Sequence, residues 1–384
     1  MAAPDFDDLA GLNRELRFVL IGILNSVGAR RQPCIFFFWV SQGKLSPVRL
    51  ASVRYHSLNP MKQKNDENAL VVRIEHKFVS RKTKVLPLAF GDDAALWSPS
   101  PGHETVLTCD WFLEGSHFLR DKHPPEAVGW KCLARAVSDI AAMGGKPRCF
   151  LLSLALPKNL TGNWLNAFLR GLRRASRALR CELAGGDTTR HDKVLISITV
   201  IGEVRRQRAI LRSGAKPGDA IYVSGTLGEA EFGLRQFRGR RGFTHVTNVA
   251  VRKHLYPEPR LALGQWLAEN RLATAMMDLS DGLSTDLPRL CAASRVGARV
   301  DANSLPVTGL ASSLVSRELA LHGGDDYELL FTVRAGNGAR LPRKFRGLAL
   351  TRIGEITRGK KILLNADGRI EALRPGGWDP FRKP

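Results

Sequence analysis

The chain has 384 residues, 44% of them hydrophobic and 24% charged, with 36 Gly and 20 Pro. These values sit near the average for folded proteins; they exclude disordered, collagen-like, mucin-like and low-complexity classes, and the length suits two or three domains. The net charge of +22, from 58 Lys+Arg against 36 Asp+Glu, admits a nucleic-acid, anionic-lipid or phosphorylated small-molecule partner without choosing among them, because the basic residues are scattered along the chain.

Six cysteines, Cys34, Cys109, Cys132, Cys149, Cys181 and Cys291, stand far apart with no C-x-x-C pair. Neither a zinc site nor a disulfide framework is signalled, and a reducing cytoplasm is the expected location. The longest apolar runs, 18–24 and 34–40, are too short to span a membrane. Asp5, Asp7 and Asp8 occupy the place where a secretory signal would carry basic residues.

In chain order, residues 1–60 show two isolated apolar runs, no clear period and none of the motifs below. They are expected to form an N-terminal extension that is disordered or not translated, with Met61 as the alternative start. The next segment, 61–208, is expected to form one α/β domain. Its elements are a strand at 106–110, a helix over 126–143 stopped by Gly144 and Gly145, a strand at 149–156, a helix opened by Thr161, and a strand at 194–204. A turn-rich joint at 213–219 introduces a second domain, 209–384, with strands at 220–225, 329–333 and 361–364. Helices are expected around 229–237 and 259–270 and up to 294. The fold class is therefore α+β, with two α/β domains.

Many of the aspartates of this basic chain are concentrated in short segments containing Gly, Ser or Thr. These are Gly91-Asp92-Asp93, Thr108-Cys109-Asp110, Ser138-Asp139, the 185–189 segment GGDTT, the 278–282 segment DLSDG and the 323–326 segment GGDD, all read as turns. One Asp-Gly turn is an ordinary turn or helix cap; six, several beside strands, suggest a hard-metal site. Carboxylates converging from strand ends raise one another's pKa unless cations compensate, and adjacent glycines let backbone N–H groups approach phosphate. Magnesium and nucleotide chemistry follow as the expectation. No Walker P-loop is present, since Gly225-Thr226-Leu227-Gly228 lacks the lysine.

The ordered strings GDDAAL, TCDWFLEGSHF, KCLARAVSDIAAMGGKP, LAGGDTTR, RSGAKPGDAIYVSGTLGEA, MDLSDGLSTDL and GGDDYELLFTV resemble the thiamine-monophosphate kinase family over roughly residues 65–381. Its superfamily also holds aminoimidazole ribonucleotide synthetase, selenophosphate synthetase and a hydrogenase maturation protein. The resemblance implies transfer of the γ-phosphoryl group of ATP to thiamine monophosphate. It also implies an N-terminal α/β domain of the aminoimidazole ribonucleotide synthetase-like type that forms a homodimer, a C-terminal α/β domain, and ATP in the cleft between them.

Carried over by position, it implies Mg²⁺ ligands at Asp93, Thr108, Cys109, Asp110, Asp139, Asp187, Asp278 and Asp281, with Asp92 a neighbour. It implies ATP contacts at Gly186, Asp187, Arg212 and Ser280, and substrate contacts at His117, Asp325 and Trp378. No covalent nucleophile or general base is expected, because a phosphate monoester is already largely ionised near neutral pH. Arg212, with Lys131 as a second cation, would offset phosphate charge.

Four positions depart from the family pattern: Asp325 where Glu is usual, Cys109 where Thr is commoner, Pro380 in place of His in the closing GWDHF string, and His191 where Gly is usual. These departures leave the expected polyphosphate site intact. The alternatives are another ATP-dependent enzyme of the superfamily, a non-catalytic ATP-binding member, or a basic nucleic-acid-binding protein. The last is disfavoured by 7% aromatic content and no RNA-binding consensus, so neither nucleic acid nor membrane is an expected partner.

Overall fold

A pair of helices packed on one face of a sheet organises the first half of the molecule. The computed structural model describes residues 37–41, 44–48, 67–78, 83–89, 93–238 and 245–381. Apart from one hairpin, the N-terminal extension lies outside the described residues, as do Gly91 and Asp92. That hairpin, β1 (Phe37–Ser41) with β2 (Lys44–Val48), belongs to a separate unit ending at Lys64.

In the larger unit, α1 (Glu67–Lys77) precedes β3 (His103–Leu113), α2 (Pro125–Ala142), β4 (Lys146–Leu156), α3 (Asn163–Leu179), β5 (Glu182–Arg190) and β6 (Leu195–Arg205). The four strands form one sheet in the order β3-β6-β4-β5, antiparallel except for the β4–β5 pair, which α3 connects. Leu133, Val137 and Ile140 of α2 and Leu165, Phe168 and Leu172 of α3 are fully buried with Phe150, Ile196 and Ile198 of the sheet. Their three- and four-residue spacing is what makes these segments helices with one apolar face.

The second half contains β7 (Ala220–Ser224), α4 (Glu229–Arg238), α5 (His245–Leu255), α6 (Leu261–Glu269), β8 (Ala273–Asp278), α7 (Leu283–Ser294), β9 (Gly297–Asp301), α8 (Ser313–His322), β10 (Leu329–Val333), β11 (Lys344–Phe345), β12 (Leu348–Thr357), β13 (Ile362–Ala366) and β14 (Arg369–Ala372). The strand order is β14-β13-β9-β12-β7-β10-β8, with β11 on β12. One core lies among Ile221, Val223, Leu287, Leu290, Val300 and Leu330, and another among Leu263, Leu267, Met276 and Phe331.

Three segments also read as turns are not, and for 108–110 and 138–139 the strand and helix expected from periodicity are what the structure shows. Thr108-Cys109-Asp110 lies in the middle of β3, Ser138-Asp139 lies inside α2, and residues 185–189 continue β5. Tertiary pairing overrides the local turn preference: Gly186 is held opposite Leu152 of β4, where a Cβ would stand 1.9 Å from the Leu152 carbonyl oxygen. Local periodicity also left out α5, α8, β9 and β12. β12 alternates imperfectly because it carries a register shift between Arg352 and Gly354.

The close approach of α2 and α3 depends on two glycines. A Cβ at Gly171 would lie 1.9 Å from the Glu126 carbonyl oxygen, and one at Gly129 would lie 2.1 Å from that of Phe168. Gly171→Ala, which favours an isolated helix by about 1 kcal/mol, is expected instead to destabilise by about 2 kcal/mol through overpacking. That corresponds to a fall of roughly 5 °C in the melting temperature. Calorimetry against Gly336→Ala, where the new methyl meets nothing within 4 Å, checks this; equal melting temperatures would refute it.

Candidate functional site

Lys131, Arg135 and Asp139 follow one another at four-residue intervals on α2, so they stack along one face about 6 Å apart. β3 runs beside this row. Its alternating side chains turn Thr108 and Asp110 toward α2, where Thr108 Oγ1 donates to Asp139 Oδ2 at 2.5 Å and Arg135 Nε donates to Asp110 Oδ2 at 3.3 Å. Asp278, at the end of β8 and 4% exposed, completes a carboxylate set with Asp110 and Asp139.

Burial, then the charge of Asp139, pushes the Asp278 carboxyl up to about 8. Burial likewise raises Asp139, which the Thr108 hydroxyl, Arg212 and Arg135 only partly offset against the push from Asp110. Oxygen donors of one sign, buried together and short of cations, are the donor chemistry of a hard divalent ion, so these residues fit magnesium. Among the described residues no three of His, Cys, Asp or Glu gather closely enough to hold an ion unaided. An ion here would complete its shell with phosphate oxygens and water, as magnesium commonly does.

The other end of the row opens into a cleft of about 290 Å³ whose lining includes His117, Arg135, Ser280, Asp281, Asp325 and Trp378. Sequence-predicted residues from four distant segments therefore share one cleft. His117 Nδ1 accepts the Leu113 N–H at 3.0 Å, and burial followed by the Arg135 charge pushes the imidazole down to about 4. It is neutral, with its proton on Nε2. Trp378, 46% exposed, is fixed through its backbone N–H to the Asp281 carbonyl at 2.9 Å.

Asp325 and Tyr327 both have left-handed backbones, at φ 67° and 51°. Between them the buried Asp326 accepts the N–H groups of Gly228 at 2.6 Å and Ala230 at 3.2 Å, which ties the segment to the start of α4. Asp325 Oδ1 accepts the Tyr327 hydroxyl at 2.8 Å and Oδ2 accepts Lys131 Nζ at 2.7 Å. Burial alone would raise this carboxyl, but Lys131, His254 and Arg135 hold it well below the usual carboxylate range. The shortened side chain is thus drawn onto Lys131 and Tyr327 at the cleft floor.

Sequence reasoning missed Tyr327, His254 and His123. Lys131 Nζ lies 3.2 Å from His254 Nδ1, and His254 Nε2 lies 3.2 Å from His123 Nε2. An ammonium can only donate, so His254 carries its proton on Nε2 and passes the hydrogen bond to His123. The only sequence signal was the four-residue spacing of Lys131, Arg135 and Asp139.

The remaining expected residues do not all meet the carboxylate set. Cys109 Sγ faces Ser197 Oγ at 3.4 Å on the opposite side of β3 from Thr108 and Asp110, so only its backbone can join them. Gly186 and Asp187 line a separate groove of about 210 Å³ with Leu152 and Leu183. Arg212 acts on Asp139 through its charge, and its carbonyl accepts Ser294 Oγ at 2.7 Å. Asp281 Oδ2 pairs with Arg289 at 2.5 Å. Asp93 lies ahead of β3, next to residues outside the description.

Comparison with known proteins identifies the family and the fold. Family models described as AIR synthase related protein, N-terminal domain, and its C-terminal domain match residues 91–204 and 216–365. A thiamine-monophosphate kinase of Bacillus subtilis is 33% identical over 305 residues, covering 77% of this chain and 94% of the relative. The chain belongs to the thiamine-monophosphate kinase family. The crystal structure of a family member from Stenotrophomonas maltophilia is 37% identical at a TM-score of 0.70, covering 78% of this chain and 96% of that one. A structure of AaThiL complexed with AMPPCP and TMP is 33% identical at a TM-score of 0.66, covering 82% and 97%. The two-domain α+β fold is that of the thiamine-monophosphate kinase family.

Burial pushes His123 down to about 4 and His254 lower still, with the Lys131 charge adding to both. An unfolded imidazole titrates at roughly 6.5, so below that pH the unfolded chain takes up protons that the folded chain refuses. Stability is therefore expected to be full above pH 6.5 and to fall as the pH drops toward 4. His123→Asn should make the decline in urea midpoint over this window shallower; an unaltered decline would show that His123 protonates freely in the folded protein.

Proposed function

We propose that this chain transfers the γ-phosphoryl group of ATP to the phosphate of thiamine monophosphate, giving thiamine diphosphate and ADP. The observation that carries the reading is the continuous path from the cleft holding His117, Asp325 and Trp378, along Lys131 and Arg135, to the carboxylates Asp110, Asp139 and Asp278. The relative solved with AMPPCP and TMP supports it.

In this reading an acceptor phosphate oxygen attacks the γ-phosphorus in line, the bond from the γ-phosphorus to the β–γ bridging oxygen breaks, and ADP leaves. The acceptor is already ionised, so Asp139 has no proton to take. Magnesium, when bound, supplies neutralisation of the phosphate charge. Its proposed ligands are Asp110, Asp139 and Asp278, together with Thr108, Asp281, Asp93, Asp187 and the Cys109 backbone. Gly186, Asp187, Arg212 and Ser280 are the proposed ATP contacts. His117 Nε2 offers a donor to the substrate, Trp378 offers an aromatic face, and Asp325 offers a carboxylate edge.

The same proposal divides the chain at 208/209, which the two matched ranges support. It also includes a homodimer and a cytoplasmic location. Leu107 and Trp111 project from the outer face of β3 at 66% and 57% exposure, an apolar stripe suited to a second copy. The five described cysteines are free, and no described helix is long and apolar enough to cross a membrane.

Purified protein is expected to release ADP from Mg-ATP only when thiamine monophosphate is present. Asp139→Asn should lower kcat by roughly 10²-fold or more, and Arg212→Lys, which keeps the charge, by less than about 10-fold. Release that is independent of thiamine monophosphate, or equal losses in the two variants, would count against the reading.

A further inference from the structure

We propose that Arg135 binds the acceptor phosphate, and that this chain thereby recognises its substrate as a phosphomonoester. The inference rests on the proposed kinase reading and adds a residue that the carried-over set lacks.

Position comes first. Along α2, Lys131 marks the cleft floor through Asp325, and Asp139 marks the carboxylate end through Thr108. Arg135 stands one turn from each, so a substrate whose ring lies in the cleft and whose phosphate reaches toward the carboxylates passes its guanidinium. Arg135 also lines the cleft itself.

The competing cations are already engaged or peripheral. The Lys131 ammonium is committed to Asp325 and His254, and His117, His123 and His254 are neutral at physiological pH. Arg238, the other arginine of the cleft, is an exposed residue at the end of α4.

Chemistry agrees with position. Arg135 is 14% exposed, its Nε donates to Asp110, and its guanidinium lies over the Phe112 ring at 5.5 Å. These contacts hold the planar fork in one orientation. A fixed guanidinium matches two phosphate oxygens at once, which a lysine ammonium cannot do. Burial works against its charge, but Asp110 and Asp325 keep it protonated. A dianionic phosphate arriving beside Asp110 and Asp139 needs such a cation to offset the repulsion.

The test compares binding of thiamine monophosphate and of thiamine, which lacks the phosphate, by calorimetry on the full chain as wild type, Arg135→Met and Arg135→Lys. Steady-state kinetics on the same proteins complete it. Arg135→Met should weaken thiamine monophosphate roughly 10- to 100-fold and change thiamine by less than about 2-fold, with KM for ATP unaltered; Arg135→Lys should fall between. Equal weakening of both ligands, or a shift confined to ATP or to the Mg²⁺ requirement, would overturn the assignment in favour of a structural role on Asp110. Should the methionine variant fail to fold, the lysine variant decides by the same ratio. If wild type itself gives no ADP release dependent on thiamine monophosphate, the kinase reading has failed and Arg135 falls with it. Failure of the Arg135 assignment alone leaves wild-type turnover intact.

Discussion

Burying several carboxylates of one sign beside a helix is the constraint around which the rest of this structure is arranged. Asp139 and Asp278 oppose one another in a setting that disfavours their ionised forms, and the charge of Asp110 adds to the push on both. The helix answers with cations on the same face, Arg135 and Lys131, and the joint after the first sheet adds Arg212. The compensation is incomplete, since Asp278 still sits near 8. That residual deficit is one a hard cation would compensate.

Holding such a face requires a rigid support, and the support is apolar. Close packing of α2 on α3 through Gly129 and Gly171 anchors the opposite side of α2 against Phe168, Leu172 and the sheet. Both halves of the molecule then close on the charged row. α5 contributes His254 to Lys131, and the 323–327 segment contributes Asp325. The left-handed residues Asp325 and Tyr327 bracket Asp326, whose bonds to the start of α4 stabilise a backbone that would otherwise be strained. Lys131 thus links the Asp325 carboxylate to a pair of neutral imidazoles, so the cleft floor is set by a chain of hydrogen bonds instead of a single ion pair.

The departures from the family pattern acquire physical content in this setting. Asp325, on a left-handed backbone, reaches both Lys131 and Tyr327 with its shorter side chain. Cys109 points to the outer face of β3, where its thiol meets Ser197 and Thr199 and leaves the carboxylate set untouched. Pro380 follows the segment that Gly376, Gly377 and Trp378 pin onto α7 and Asp281 by backbone donors, a pinning that needs no side chain at 380.

The sequence alone determined the amphipathic helices α2 and α3, the apolar strands β3, β4, β6, β7 and β10, and the ordered motifs that identify the family. Those signals are local: a period, a glycine stop, or a string of residues. Tertiary structure decided that the Gly- and Asp-rich segment at 185–189 is strand, because pairing with β4 satisfies its backbone better than a turn does. It also decided which acids meet. Asp110, Asp139 and Asp278 converge, whereas Asp187 borders another groove and Cys109 faces away. The Lys131–His254–His123 chain spans residues more than a hundred positions apart, and such a distance carries no periodic signal; only the packing of α5 against α2 brings those side chains within hydrogen-bonding reach.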